Sequence, residues 1–267
     1  MKKLFWTSMG VSAGLLLWGA FVEVDKLRVE RHTLRLHTWP VEWNGLTIAF
    51  IADFHVCDGQ SVGLSMRALG EAIAAEPDLI LLGGDFVARW KESSLDMLEH
   101  VFSILEDYHG RVFAVPGNRD YRDGYPEFLL PVFEAHGIKL LRNEVVNFHG
   151  LQIAGIDSAN AHQADPIGTL EQTNDKDPII VLWHEPDMVE WVPSGAALML
   201  SGHSHGGQFT TPWGWAPMTS KNGRKYLRGY FPQAPTPLFV TRGLGTTGPP
   251  SRLFCTPEVA ILTLVSA

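Results

Sequence analysis

The stretch Ser201-Gly202-His203-Ser204-His205-Gly206-Gly207-Gln208 sets two imidazoles two residues apart, directly behind the apolar run from Ala196 to Leu200. In an extended backbone residues i and i+2 face the same side, and the flanking glycines permit a sharp turn and a close approach. Such a pair can hold one metal ion or serve one each of two adjacent ions; two solvated histidines in a polar turn are the plainer alternative. The chain repeats the arrangement. Asp53-Phe54-His55 follows Leu46 to Ala52, Gly83-Gly84-Asp85 follows Leu79 to Leu82, Asn118-Arg119-Asp120 follows Val112 to Val115, and His184 follows Ile179 to Trp183. Alone, Asp85 reads as a helix cap, Asn118 as a turn residue and His184 as a satisfied buried histidine. Five apolar runs that all end in metal-ligand side chains form a pattern that these separate explanations do not cover.

Side chains so far apart meet only if the runs are strands of one core. Short continuous apolar runs suit buried central strands. Helical spacing runs over 61–76 through Leu64, Leu69, Ala72 and Ile73, and Pro77 stops it. Ser94 reads as the N-cap of a helix through Leu95, Leu98, Val101, Phe102 and Leu105, closed near Gly110. A further helix spans 126–136, with a kink or restart at Pro131. Strands at 138–141, 145–148 and 151–156 follow, then a long polar loop over 157–177, and late strands at 238–241 and 259–265. This order predicts an α/β fold, a four-layer α/β/β/α sandwich with mixed sheets. The ligand-type residues fall at C-terminal strand ends, where open α/β sheets place their ligands.

A chain of 267 residues supports one large domain or two small ones, and its net charge of -8 argues against a general nucleic-acid binder. Two cysteines, Cys57 and Cys255, are too few for a disulfide framework. Lys2 and Lys3 precede an uncharged apolar run from Leu4 to Val22, close to the roughly 20 residues of a bilayer-spanning helix. A signal peptide is the competing reading, but no small-x-small cleavage site follows; a buried helix of a soluble domain is the plainer alternative. The expected organisation is therefore a membrane anchor over 1–25, a linker and leading strand over 26–45, and a catalytic domain over 46–267, acting as a monomer. Lys26, Arg28, Arg31 and Arg35 beyond the anchor tilt the orientation towards a cytoplasmic catalytic domain, by a small margin that leaves the side open.

The set D-x-H, G-D, G-N-x-D, a lone strand-end His and G-H-x-H-G-G-Q resembles the calcineurin-like metallophosphoesterases, from about Leu46 to the C-terminus. Asp53-Phe54-His55, Arg242-Gly243-Leu244-Gly245 and Pro257-Glu258 most resemble their membrane-associated bacterial branch, which implies a place at a bacterial inner membrane. The resemblance implies that Asp53, His55 and His205 hold one metal, that Asn118, His184 and His203 hold another, and that Asp85 bridges them. Two divalent ions about 3.5–4 Å apart share a hydroxide and clamp an in-line displacement at phosphorus. They also make the site electropositive in an acidic protein. Imidazole, carboxylate and amide ligands suit manganese, iron or zinc better than calcium or magnesium, with manganese the first choice.

One position departs from the pattern. Many members carry His after the Asn, where it is thought to protonate the leaving group; here it is Arg119. Arginine stays charged and gives up no proton near neutral pH, but it neutralises a phosphate oxygen. A phosphate leaving group needs little protonation, whereas an alkoxide needs it badly. The same G-N-R-D occurs in the UDP-diacylglucosamine pyrophosphatases of lipid A synthesis, which the chain resembles at this motif. The expectation is a phosphodiester or pyrophosphate hydrolase, acting on a nucleotide-linked lipid or another phosphorylated small molecule. Arg119 and Asp120 would be catalytic, Asp120 orienting Arg119, and Asn118, Arg119 and Arg242 would contact substrate. Arg242 and Arg252 read equally well as phosphate ligands or as surface pairs. Phe209, Trp213 and Trp215 read as contacts to acyl chains or as cover for a sheet edge. A phosphomonoesterase, a general phosphodiesterase, a mononuclear zinc amidase and a non-catalytic scaffold with the same fold are the alternatives.

Overall fold

The computed structural model describes residues 14–193 and 195–267. Among these described residues, twelve strands form two six-stranded mixed sheets. The first runs β1 (Arg28–Leu36), β12 (Glu258–Ser266), β2 (Thr47–Ile51), β3 (Leu79–Leu82), β4 (Val112–Ala114), β5 (Ile138–Leu140). The second runs β10 (Gly229–Phe231), β11 (Leu238–Val240), β9 (Leu198–Ser201), β8 (Ile179–Trp183), β7 (Leu151–Ile156), β6 (Glu144–Phe148). β2 to β5 are parallel, as are β7, β8, β9 and β11. The antiparallel pairs are β12 on β2, β10 on β11 and β6 on β7.

Because successive strand side chains point to opposite faces, each apolar run feeds two cores. Ile48 and Phe50, Leu79 and Leu81, Ile180 and Leu182, Leu198 and Leu200 meet between the sheets. Ala49 and Ile51, Ile80 and Leu82 face the helices α1 (Gly59–Ala74), α2 (Ser94–Phe102) and α3 (Leu130–Ala135). Val181, Trp183, Met199 and Val240 face the far side of the second sheet, under a thinner cover that includes Val189 of the 3-10 turn Pro186–Trp191. Strands buried on both faces are why these segments read as unbroken apolar runs.

Several expectations shift. Asp58 caps α1, accepting the Ser61 N–H at 2.8 Å, so the helix begins two residues before Ser61. Ser94 is the first residue of α2 and not its cap; its hydroxyl accepts the Lys91 N–H at 2.9 Å. The expected loop over 157–177 contains a short helix, α4 (Pro166–Leu170), because Asp165 caps it and Pro166 pre-sets its first turn. β1 lies within 26–45, the region read as a linker and leading strand, and buries Leu34 and Leu36 between the sheets. The apolar run 4–22 falls partly outside the described residues. Residues 14–21 are helical, and among the described residues no helix is long and apolar enough to cross a membrane.

Leu200 is fully buried between the sheets beside Leu182 and Phe239. Leu200→Ala should destabilise the fold by about 2–5 kcal/mol, read as a lower urea midpoint with an unchanged denaturant slope.

Candidate metal centre

The parallel strands of both sheets end on one edge, and there the backbone leaves the extended region. Asp53, His55, Asp85, His203 and His205 all have positive φ, between 47° and 66°. Asp and His tolerate this left-handed region better than branched residues, yet each such residue stores about 1–3 kcal/mol of strain. His203 and His205 therefore do not share a face of an extended strand, as their spacing predicts. The chain coils through the turn His205–Gly207, with Gly206 at φ 58°, and delivers the two rings to different places. His205 joins Asp53 and His55; His203 joins Asp85 and His184, the ligand atoms of each group lying within 4.8 Å of one another.

Paired loops hold these ends in place. Asp53 N–H donates to Gly84 O at 2.9 Å and His55 N–H to Asp85 O at 3.0 Å, so the β2 and β3 loops run together. Gly202 N–H reaches His184 O at 3.1 Å, and His203 N–H donates to Asp53 Oδ2 at 2.9 Å, joining the two sheets. Gly117 and Gly202 leave room for carboxylates. A Cβ on Gly117 would overlap Asp85, and one on Gly202 would lie 2.6 Å from Asp53 Oδ2.

The nitrogen atoms converge. His55 Nε2 and His205 Nε2 are 3.1 Å apart, and His203 Nδ1 and His184 Nε2 are 3.3 Å apart. Asp85 stands between the groups, with Oδ2 3.4 Å from His55 Nε2 and Oδ1 3.4 Å from His184 Nε2. Protein carbonyls engage the ring nitrogens on the far side. His184 Nδ1 is 2.6 Å from Gly83 O, His203 Nε2 is 2.6 Å from Lys221 O, and His205 Nδ1 is 3.3 Å from Gly245 O. Donating there leaves His184 Nε2, His203 Nδ1 and His205 Nε2 as acceptors, the arrangement that metal-binding histidines adopt. Asn118 Oδ1 is buried without a hydrogen-bond donor. Such an orphan acceptor is costly, and a cation satisfies it. The donor set thus fits two divalent ions.

Electrostatics agree with that fit. Burial pushes Asp53 up to about 7 against the pull of His184. Burial acts on Asp85 in the same sense, yet His184, His55 and the Arg119 N–H hold it below the usual carboxylate range. Burial lowers His55 to about 4 and lowers His203 and His205. Neutral imidazoles are the form a metal takes. His184 is raised despite its burial, because Asp85 and Asp53 face it; a cation between them removes that cause.

Three expected roles change. Asp120 does not orient Arg119. Its fully buried carboxylate accepts the N–H groups of Gly117, Asp85, Phe86 and Val87 at 2.8–3.3 Å, buckling the β3 and β4 loops together. Arg242 is not among the residues that line the cavity; its guanidinium bonds Glu30 at 2.9 Å and lies 2.6 Å from Glu258. Arg252 is fully buried and donates to the carbonyls of Arg242, Gly243 and Gly245 at 2.6–3.1 Å. Arg119 meets its expectation of place: its N–H binds Asp85 Oδ1 at 2.7 Å, and it lines a cavity of about 280 Å³ with Asn118, His203, His205, Phe209 and Met218. The spacing gave no hint of Asn160, whose amide contacts His203 Nε2 at 3.1 Å and Lys221 O at 3.2 Å. Nor did it mark Glu185, which accepts from Ser158 and from the Ala159 and Asn160 N–H groups and so fixes that turn.

A model of the calcineurin-like phosphoesterase family matches residues 46–207. The chain is 31% identical over 225 residues to phosphodiesterase YaeI of Escherichia coli, covering 82% of each chain. It is 26% identical to the uncharacterized metallophosphoesterase YkuE of Bacillus subtilis, over 93% of this chain and 89% of that one. It is 25% identical to the UDP-2,3-diacylglucosamine pyrophosphatase LpxG of Chlamydia muridarum, over 92% of each. The matched span carries the strand ends at which every one of these buried donors sits, and the chain belongs to the calcineurin-like phosphoesterases, as a hydrolase.

Proposed function

We propose that the protein hydrolyses a phosphodiester or pyrophosphate bond with two divalent ions, manganese being the first to try and iron or zinc the next. Asp53, His55 and His205 would hold one ion, Asn118, His184 and His203 the other, and Asp85 both. The observation that carries this reading is Asp85, which turns one oxygen towards an imidazole of each group. The ions would supply Lewis-acid charge at a phosphoryl oxygen and a water activated for attack.

The chain's own residues set the rest. Gly83, Lys221 and Gly245 carbonyls fix the imidazole tautomers. Arg119 neutralises a phosphoryl oxygen in the cavity and has no proton for a leaving group. A leaving group that is stable as an anion, such as a phosphate, suits this site. Phe209, Met218 and Pro249 give the cavity apolar walls, which suit a substrate with an apolar part. A nucleotide-linked lipid such as UDP-diacylglucosamine, met at a bacterial membrane, combines both features, and the name of the LpxG relative is in keeping with it.

Asn118→Ala removes a donor without disturbing a strand. Metal content should fall from about two ions per chain to about one, and kcat/KM should fall beyond the 10–100-fold that outer partners cost, with an unchanged melting temperature of the metal-free protein. Two metals retained in this variant would rule out the ligand set, and no metal in the parent protein would favour the scaffold reading. Asp120→Asn, by contrast, turns an amide towards four N–H donors and should cost roughly 1–3 kcal/mol of stability, seen in a denaturant melt. The leaving-group argument predicts a UDP-linked lipid turning over faster than an alkyl phosphomonoester, and Arg119→His narrowing that ratio by restoring a proton donor. A parent enzyme that prefers the monoester would refute it.

A further inference from the structure

Charge is segregated along this chain. The protein carries a net charge of -8, yet residues 191–257 contain six Lys/Arg and no Asp or Glu. That segment supplies the excursion over 209–228 beside the metal cavity, and the excursion is ordered by its own bonds. Thr211 N–H donates to Trp215 O at 2.8 Å, Gly214 N–H to Thr211 O at 2.9 Å, and Thr210 N–H to Leu253 O at 2.9 Å. The closed turn presents Trp213 at 79% exposure and Trp215 at 62%, with Met218 at 70% further on. Arg228 reaches this turn, its Nη2 2.9 Å from where a Gly214 Cβ would lie. Lys221 and Arg224 are exposed and have no ion pair among the described residues; Lys225 is paired with Glu190.

A second segment adds to the same surface. Helical residues 14–21 expose Leu16, Leu17 and Phe21. Leu15 and Trp18 share a cleft with Pro212 and Phe254, edged by Lys26 and Arg28. Arg252 N–H donates to Gly19 O at 3.1 Å, which fixes the helix against the 251–254 loop. Apolar side chains of the 14–21 helix and of the loops at 212 and 254 therefore meet around one cleft, with Lys26, Arg28 and the buried Glu23 also lining it. Large exposed apolar patches mark contact surfaces. Tryptophans among Lys and Arg suit the headgroup layer of an anionic bilayer. A nucleic acid would ask for aromatics lining a groove, whereas these project from a turn beside leucines and a methionine.

We infer that the 209–228 excursion and the exposed face of residues 14–22 dock on an anionic lipid bilayer. Phe209 and Met218 belong both to this segment and to the cavity wall, so docking brings the mouth of the cavity to the headgroups. The inference rests on the surface and not on the substrate proposed above, and its test needs no catalysis. Full-length protein is sedimented with vesicles of phosphatidylglycerol and phosphatidylethanolamine, or of phosphatidylcholine alone. Binding should favour the anionic vesicles and weaken as salt rises. Trp213→Ser with Trp215→Ser should lower the partition coefficient about ten-fold or more. Lys221→Gln with Arg224→Gln should lower it about five-fold per charge. Both variants replace exposed side chains and keep the parent's melting temperature. Unchanged partitioning in both, or equal binding to neutral vesicles, overturns the inference. So does retention on single-stranded DNA without vesicle binding, or a dimer that dissociates on the Trp replacements.

Discussion

Four imidazoles and two carboxylates are buried together at one sheet edge, and the rest of the molecule is arranged so that they can be. Buried ionisable groups survive only when they are paired, hydrogen-bonded or bound to metal. Here the far nitrogens of His184, His203 and His205 are already engaged by main-chain carbonyls. What remains facing inward is a set of acceptors with few protons among them, a set that divalent cations would satisfy. The strained backbone at Asp53, His55, Asp85, His203 and His205 belongs to the same constraint. Left-handed strand ends turn these side chains inward, and two packed sheets supply the rigidity that holds them there.

Loops that converge on such a site leave main-chain groups in need of partners, and each sheet uses one buried charge to gather them. In the first sheet Asp120 collects N–H groups from residues 85, 86, 87 and 117. In the second, Arg252 collects carbonyls from residues 242, 243 and 245, with Cys255 O at 3.2 Å. An anion serves donors and a cation serves acceptors. Neither side chain reaches solvent, so each acts on the metal centre only through the loops it ties.

This division explains what was legible in the sequence. The strands read correctly because parallel strands buried on both faces leave unbroken apolar runs, as in Leu79–Leu82 and Ile179–Trp183. The six residues that the structure gathers into two groups stand out in the sequence because each follows such a run. Asp120, Arg242 and Arg252 were misjudged for a shared reason. A charged residue beside a glycine-rich loop looks the same in sequence whether it meets a substrate or a row of peptide groups. Asn160 was invisible because its partner is the carbonyl of Lys221, and a main-chain oxygen has no residue type. The left-handed turn at His205–Gly207 also hid behind its spacing, since a two-residue interval suggests extension and only the neighbouring glycines hint at coiling.

The tripeptide Asn118-Arg119-Asp120 shows where such a site can change its chemistry. Asn118 turns its amide oxygen inward, and Asp120 turns its carboxylate into the peptide groups of the neighbouring loop. Arg119 contributes its N–H to Asp85 Oδ1, a bond that any residue but proline can make, and sends its side chain to the cavity. The two flanking side chains are therefore fixed by the architecture, while the middle one is free of it. Replacing a proton donor by a permanent cation at that single position leaves the buried donors of the two groups where they are. On the function proposed above, it would alter only which leaving group the cavity favours.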